Sequence, residues 1–211
     1  MLPILIIFLN FMAYSHNDIL KQKSFSIVLN MNMLSISILV YSIVLISDLE
    51  ENSYRNILCI GIKYFEIIFS KNIFTLSFLA INQVFISLLY KLTLQDTLYS
   101  IIISLLGGLI IQFVVSIICF INKNYNAIGN FNAVIFIILL MIPEIIPFVK
   151  AFRYLALFLP SYYSKNFADI IMNIPAKIDI ISLIVTIILW VFIPMIYARR
   201  KNIFQLKKVT E

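Results

Sequence analysis

Apolar residues run along this chain in blocks of about 20, and the polar residues collect between the blocks. The blocks fall near residues 2–14, 25–47, 72–90, 98–121, 131–149 and 180–197. None shows the apolar–polar alternation of a barrel strand. Segments of this length and apolarity read as helices that cross a bilayer. The pattern therefore predicts an all-α, polytopic integral membrane protein: a single domain over residues 1–211 with about six transmembrane helices. The block at 2–14 is short, covering about 20 Å against a hydrocarbon core of about 30 Å. A signal peptide is the rival reading there, but no basic n-region and no small-x-small cleavage site accompany it.

Two polar intervals stand out. Residues 48–71, DLEENSYRNILCIGIKYFEIIFSK, carry the acids Asp48, Glu50, Glu51 and Glu66 and the bases Arg55, Lys63 and Lys71. Such a segment has no place in hydrocarbon and must lie at or beyond a membrane face. Residues 150–179 are apolar but broken by Pro160 and Pro175 and dotted with Lys150, Arg153, Lys165 and Asp169. Those breaks argue against a full crossing. They predict two short helices that dip partway into the bilayer or lie in its interface, with an ordinary amphipathic external loop as the plainer reading.

The basic residues set the orientation. Arg199, Arg200, Lys201, Lys207 and Lys208 follow the last block and form the densest cluster, so the C-terminus is expected in the cytoplasm. An even number of spans then puts the loops at 48–71 and 122–130 on that same side. Lys71, Arg199, Arg200 and Lys201 are expected to anchor their helices at the head groups of the lipid bilayer.

Composition narrows the chemistry. The chain is 62% hydrophobic and 12% charged, where soluble domains carry about 25% charge. Its net charge of +6 sits at block edges and in the tail rather than on a basic face with exposed aromatics, so nucleic acid is not an expected partner. Cys59 and Cys119 lie in different apolar settings and are expected to pack as small hydrophobes, not as a disulfide. No glycine is followed by lysine, so there is no P-loop. With His16 the only histidine, no zinc or haem spacing exists. No G-x-S-x-G nucleophile motif occurs. No catalytic residue, cofactor site or metal site is expected. Glu144 is the one acid close to a block interior, where it could serve a substrate path or reach the interface ahead of Pro147 and Lys150. Ser104 and Gly108 fall at i and i+4, a small-xxx-small pattern that permits close helix packing.

Glu50-Glu51-Asn52-Ser53-Tyr54-Arg55 matches E-E-x-x-x-R and so resembles the first motif of the intramembrane CAAX-type proteases. That family completes its site with histidines from later spans. No histidine follows the motif here, so the protease reading fails on chemistry and stays a remote alternative.

A second resemblance covers more of the chain. Residues 50–71 are similar to the cytoplasmic loop of ABC type-2 transporter permeases, in which an acid and a Gly-Thr pair precede an R-N-I-L-like run, a glycine or proline, a basic turn and a closing Ser-Lys or Gly-Lys. Glu50 or Glu51, Arg55-Asn56-Ile57-Leu58, Gly61, Lys63 and Ser70-Lys71 fill those places. Asn52-Ser53 stands where Gly-Thr would fall, and the asparagine departs from the pattern. About six spans, with broken or re-entrant helices before the last, also match the family's layout. The resemblance implies the transmembrane subunit of an ATP-driven exporter. Its partners would be a cytoplasmic ABC ATPase, which hydrolyses the ATP, and a second permease subunit, identical or related. Residues 50–71 would hold a coupling helix in which Glu50, Glu51, Arg55 and Lys63 meet the ATPase and Gly61 ends the helix. The family usually carries an amphipathic segment ahead of its first span; with no charge before His16, such a segment is expected to precede Met1 or to have been trimmed.

The residues of the loop agree with that role. Asp48, Glu50 and Glu51 would sit at a helix N-terminus, where each acid is favourable by about 0.3–1 kcal/mol. Ile57, Leu58 and Ile62 make an apolar edge beside Arg55 and Lys63, and Gly61 suits a left-handed helix end. A helix resting on anionic head groups is the alternative. Few polar groups fall within the spans, chiefly Asn82, Gln83 and Gln112, which suits an amphiphilic cargo (peptide, lipid or drug) or immunity to antimicrobial peptides. A multi-span accessory or structural protein outside the ABC class is the other reading.

Overall fold

The computed structural model describes residues 18–50, 64–121, 125–146, 148–149 and 151–200. Every element among them is helical: α1 (Asp18–Leu34), a π-helical turn (Ser35–Val40), α2 (Tyr41–Glu50), α3 (Tyr64–Leu89), α4 (Leu94–Ile121), α5 (Tyr125–Ile145), α6 (Phe152–Ala156), α7 (Pro160–Ile171) and α8 (Ile180–Arg200). Four stretches are long and apolar enough to cross a membrane: Lys21–Ser47, Ile68–Leu89, Leu94–Cys119 and Asn126–Ile145. A shorter apolar stretch, Ile180–Ile193, belongs to α8. The all-α expectation holds among the described residues, and these five match the apolar blocks from 25–47 onward. The block at 2–14 lies outside the described residues.

The helices outrun the blocks. α3 starts at Tyr64 rather than near 72, because the Glu and Lys of its first turns are good helix formers that end an apolar block without ending a helix. α1, the π turn and α2 join into one rod reaching Glu50. This corrects the expected placement of Asp48 and Glu50: they occupy the last turn of a helix, not the first of the next, so the favourable N-terminal dipole does not act on them.

Local chemistry fixes the tight connections. α3 ends in a Schellman turn, with Lys91 left-handed at φ 54, Lys91 N–H on Leu88 O and Leu92 N–H on Ser87 O. α4 starts immediately: Thr93 Oγ1 accepts the Asp96 N–H at 3.2 Å and donates to Asp96 Oδ2 at 2.7 Å. The resulting hairpin is antiparallel. Ser87 Oγ meets Ser100 Oγ at 3.1 Å, and eight residues deeper on each helix Leu79 packs on Gly108.

The first rod lies antiparallel on α3. Ser24 Oγ and Tyr90 OH are 2.9 Å apart near one end, and Asn32 Nδ2 donates to Gln83 Oε1 at 3.2 Å further along. That register brings Glu50 level with Tyr64. The rod crosses the glycine pair of α4 where α1 passes into the π turn. A Cβ on Gly107 would fall 2.5 Å from Met33 Sδ, and one on Gly108 2.8 Å from both Leu79 Cδ2 and Ser37 Oγ. A side chain at either glycine would force these neighbouring side chains to shift. The main core forms around it from Met33, Leu34, Ile38, Tyr41, Leu79, Ile111, Val115 and Leu139.

Candidate functional site

Of the residues expected to contact an ATPase, Glu50 closes α2, while Glu51, Arg55, Gly61 and Lys63 lie outside the described residues. Lys71 is partly buried in the third turn of α3. Arg199 and Arg200 are the last residues of α8, and Lys201 lies outside. Cys119 is a free buried thiol; Cys59 falls outside the described residues.

Packing sorts the helix ends into two groups. Glu50 and Tyr64 stand level, as the register shows. α4 ends and α5 begins at this same end, because the hairpin turn at the start of α4 lies at the other. α8 starts beside the first turns of α4, where Leu183 and Tyr99 line one slot, so its C-terminal Arg200 finishes on the side of Glu50. The opposite end gathers Tyr90, Lys91, the C-terminus of α5, the start of α6 and the close of α7.

The built polar chemistry is at that opposite end, in the broken segment. Pro160 opens α7 at its first position, where a missing N–H costs nothing. Asn173, at φ 59, closes it in a second Schellman turn, with Asn173 N–H on Ile170 O and Ile174 N–H on Asp169 O. Between α6 and α7 the chain exposes carbonyls that α8 and α7 satisfy. Leu157 O accepts Thr186 Oγ1 at 2.6 Å and Tyr163 OH at 2.8 Å. Phe158 O accepts Trp190 Nε1 at 2.8 Å. Trp190 lies ten residues into α8, or roughly 15 Å along it, so the α6–α7 connection reaches about halfway down that helix. Non-helical backbone at this depth is tolerated only when protein satisfies it, and these three bonds do so. The expected pair of short helices is present, and its turn dips into the bundle.

α7 is amphipathic and is gripped by α1 through Asn30 Nδ2 donating to Ser161 O at 3.0 Å and Ser164 Oγ on Met33 Sδ at 3.4 Å. Lys165 Nζ crosses to the end of α5, donating to Pro143 O at 3.0 Å and to Glu144 Oε2 at 2.9 Å. Pro143 O is available because the residue four positions on is Pro147, which has no N–H. Glu144 thus sits in the last turn of α5, and a cation answers it at a helix C-terminus. Burial pushes the Asp169 carboxyl above the usual range; Glu144 adds to the rise, while the Ser26 hydroxyl and the Lys165 and Lys23 cations pull against it. Asp179 caps α8, accepting the Ser182 hydroxyl at 2.5 Å and the Ile181 N–H at 3.2 Å. Its carboxyl is held below the ordinary range, chiefly by Ser182.

A second polar feature runs down the α3–α4 seam. Thr75, Gln83, Ser87, Ser100, Ser104 and Gln112 are all fully buried. The hairpin register sets Gln83 opposite Ser104 and Thr75 opposite Gln112, with the Leu79–Gly108 contact in the turn between them. Gln83 and Gln112 therefore point into packed helices rather than onto an open path. Small and polar residues that bring helices together are a recurrent device in lipid, and Ser104 and Gly108 sit in this seam as their spacing predicts. Among the described residues no cluster of His, Cys, Asp and Glu could hold a metal ion.

The chain matches no known family profile, no curated protein and no solved structure.

Proposed function

We propose that this chain is the transmembrane permease subunit of an ATP-driven ABC type-2 exporter, moving an amphiphilic cargo such as a peptide, lipid or drug, or giving immunity to antimicrobial peptides. What carries the reading is the run Glu50-Glu51, Arg55-Asn56-Ile57-Leu58, Gly61, Lys63 and Ser70-Lys71. It joins two helix ends that stand side by side on the face where Arg199 and Arg200 also finish. In this reading residues 2–14 and 180–197 complete six spans in the cell membrane, with the C-terminus in the cytoplasm.

A soluble ATPase seated on residues 51–63 would pull on α2 and α3 together, since both helices enter that segment. Closing of the ATPase pair on ATP would then tilt the rod from Asp18 to Glu50 and α3 as a unit. The change in access of a path between two permease subunits would follow as a nucleotide-biased shift between two packings. The broken α6–α7 segment, at the far end, would border the exit. The permease itself breaks no bond.

The test is an association assay. Arg55→Glu sets a third acid beside Glu50 and Glu51 without placing charge in hydrocarbon, so the chain should still insert. Like charges forced together across an interface cost several kcal/mol, and the ATPase should no longer co-purify. If Arg55→Glu and Glu51→Lys both retain an ATPase and full transport-coupled hydrolysis, the segment is a lipid-surface helix and the proposal falls.

A further inference from the structure

Helix α7 divides two spaces. Lys165, Asn166 and Asp169, on one face, line a cavity of about 770 Å³ that Arg153 and Lys177 also enter. Tyr163, Phe167 and Ile170, on the opposite face, line an apolar slot of about 470 Å³ walled by α4 and α8. On α4 the slot runs from Tyr99 to Ile110, roughly 16 Å of helix. Both spaces begin at the same end of the bundle. Asp169 and Ile170 are consecutive residues at the close of α7, Tyr99 lies in the second turn of α4, and Leu183 opens α8.

The charges are unequal. Lys165 is matched by Glu144 at 2.9 Å. Arg153 and Lys177 are exposed, and among the described residues neither pairs with an acid. Among the described residues Asp169 is the one acid lining the cavity. A neutral lipid would fill the slot and leave Arg153 and Lys177 without a counter-charge. A free anion would answer the cations and leave the slot empty. An anionic group on a long apolar chain answers both.

We propose that α7 carries a binding site for an anionic phospholipid of the surrounding bilayer, with its phosphate between Arg153 and Lys177 and one acyl chain in the slot between α4, α7 and α8. The inference does not depend on an ATPase partner. It follows from the amphipathic face of α7, the unmatched cations on one side and the apolar walls on the other.

Trp190, the only tryptophan in the chain, is a built-in reporter, because it stands one turn of α8 beyond Ile187 at the inner limit of the slot. The full chain is reconstituted in phosphatidylcholine vesicles containing a small fraction of mid-chain-brominated lipid, and Trp190 quenching is followed. Brominated phosphatidylglycerol should quench at a far lower mole fraction than brominated phosphatidylcholine. Two surface cations at about 1 kcal/mol each correspond to about a 25-fold preference. Arg153→Gln with Lys177→Gln should abolish the preference. Leu106→Phe, which fills the lipid-facing wall of the slot and leaves the cations intact, should also abolish it. Glycerol 3-phosphate in the buffer should leave quenching unchanged. Equal quenching by the two lipids overturns the proposal, as does a preference that survives either variant. Relief of quenching by glycerol 3-phosphate would make the ligand a free phosphate and overturn it equally.

Discussion

Lys91 holds the αL position that closes α3, a conformation costing a side chain about 1–2 kcal/mol. Its side chain is exposed, so Lys91→Gly removes that cost and returns part of it as lost chain entropy. A net gain of about 0.5–1 kcal/mol is expected, read as a rise of about 2 °C in thermal unfolding in detergent. Gly108 responds in the opposite sense. Its Cβ would meet Leu79 and Ser37 at 2.8 Å, both fully buried, so Gly108→Ala should lose about 1–3 kcal/mol by overpacking. Asp169 supplies the pH dependence. Because its carboxyl is held above the ordinary range, the fold favours the protonated acid. That contribution is complete below about pH 3.9, the unfolded value, and disappears as pH rises through the raised folded value. Asp169→Asn should therefore melt higher than the parent at neutral pH and match it in acid. A constant difference across the range would show that the substitution acts through packing alone.

The α3–α4 hairpin shows where sequence reading succeeds among the elements. The spacing of Ser104 and Gly108 was legible because a small face is a local rule; the cap at Thr93 and the left-handed Lys91 came only with the structure. The break at Pro160 was legible for the same reason, and it announced the two short helices. The facing of Gln83 and Gln112 was not legible, because helices apolar all round carry no moment that marks an inner side. The π turn was equally hidden, since Ser35–Val40 has neither proline nor glycine, and the neighbour its Ser37 meets, Gly108, lies far along the chain. The pairing of Lys165 with Glu144 required knowing that α5 and α7 meet at their ends. The segment expected to face an ATPase lies mostly outside the described residues, so its residues remain a sequence-level expectation. The polar pairs do yield a measurable consequence. Gln83→Leu leaves the Asn32 amide buried without its acceptor and should cost about 1–3 kcal/mol. Asn32→Leu with Gln83→Leu removes both partners and should recover most of that loss. Additive losses in the cycle would show that the bond at 3.2 Å contributes nothing.

Across the whole molecule the helix ends fall on two faces, and this bears on orientation. Lys177 is exposed beside α7, whereas Lys165 is engaged with Pro143 and Glu144, which makes Lys177 the better probe of that face. In a background lacking Cys59 and Cys119, a cysteine replacing Lys177 should react with an impermeant thiol reagent from outside the cell, and one replacing Lys207 only after the cytoplasmic side is opened. Reaction of the Lys207 site from outside would reverse the assignment. The π turn ties these two faces together. Tyr41 N–H reaches back five residues to Ile36 O, so the rod carries one residue more there than an α-helix of the same contacts would need. The π turn takes up that extra residue as a bulge, so the half of the rod that grips α7 and the half that ends at Glu50 keep the phase of one α-helix. Loss of a single codon within Ser35–Val40 would let the bulge close and leave both halves facing their present neighbours. Loss of a codon in the plain helix after Tyr41 would instead swing every later position up to Glu50 by about 100° around the axis, pointing the entry of the polar segment at a different neighbour. In this chain, whether a one-residue gap in the gene changes the aim of the rod depends on which side of Val40 it falls.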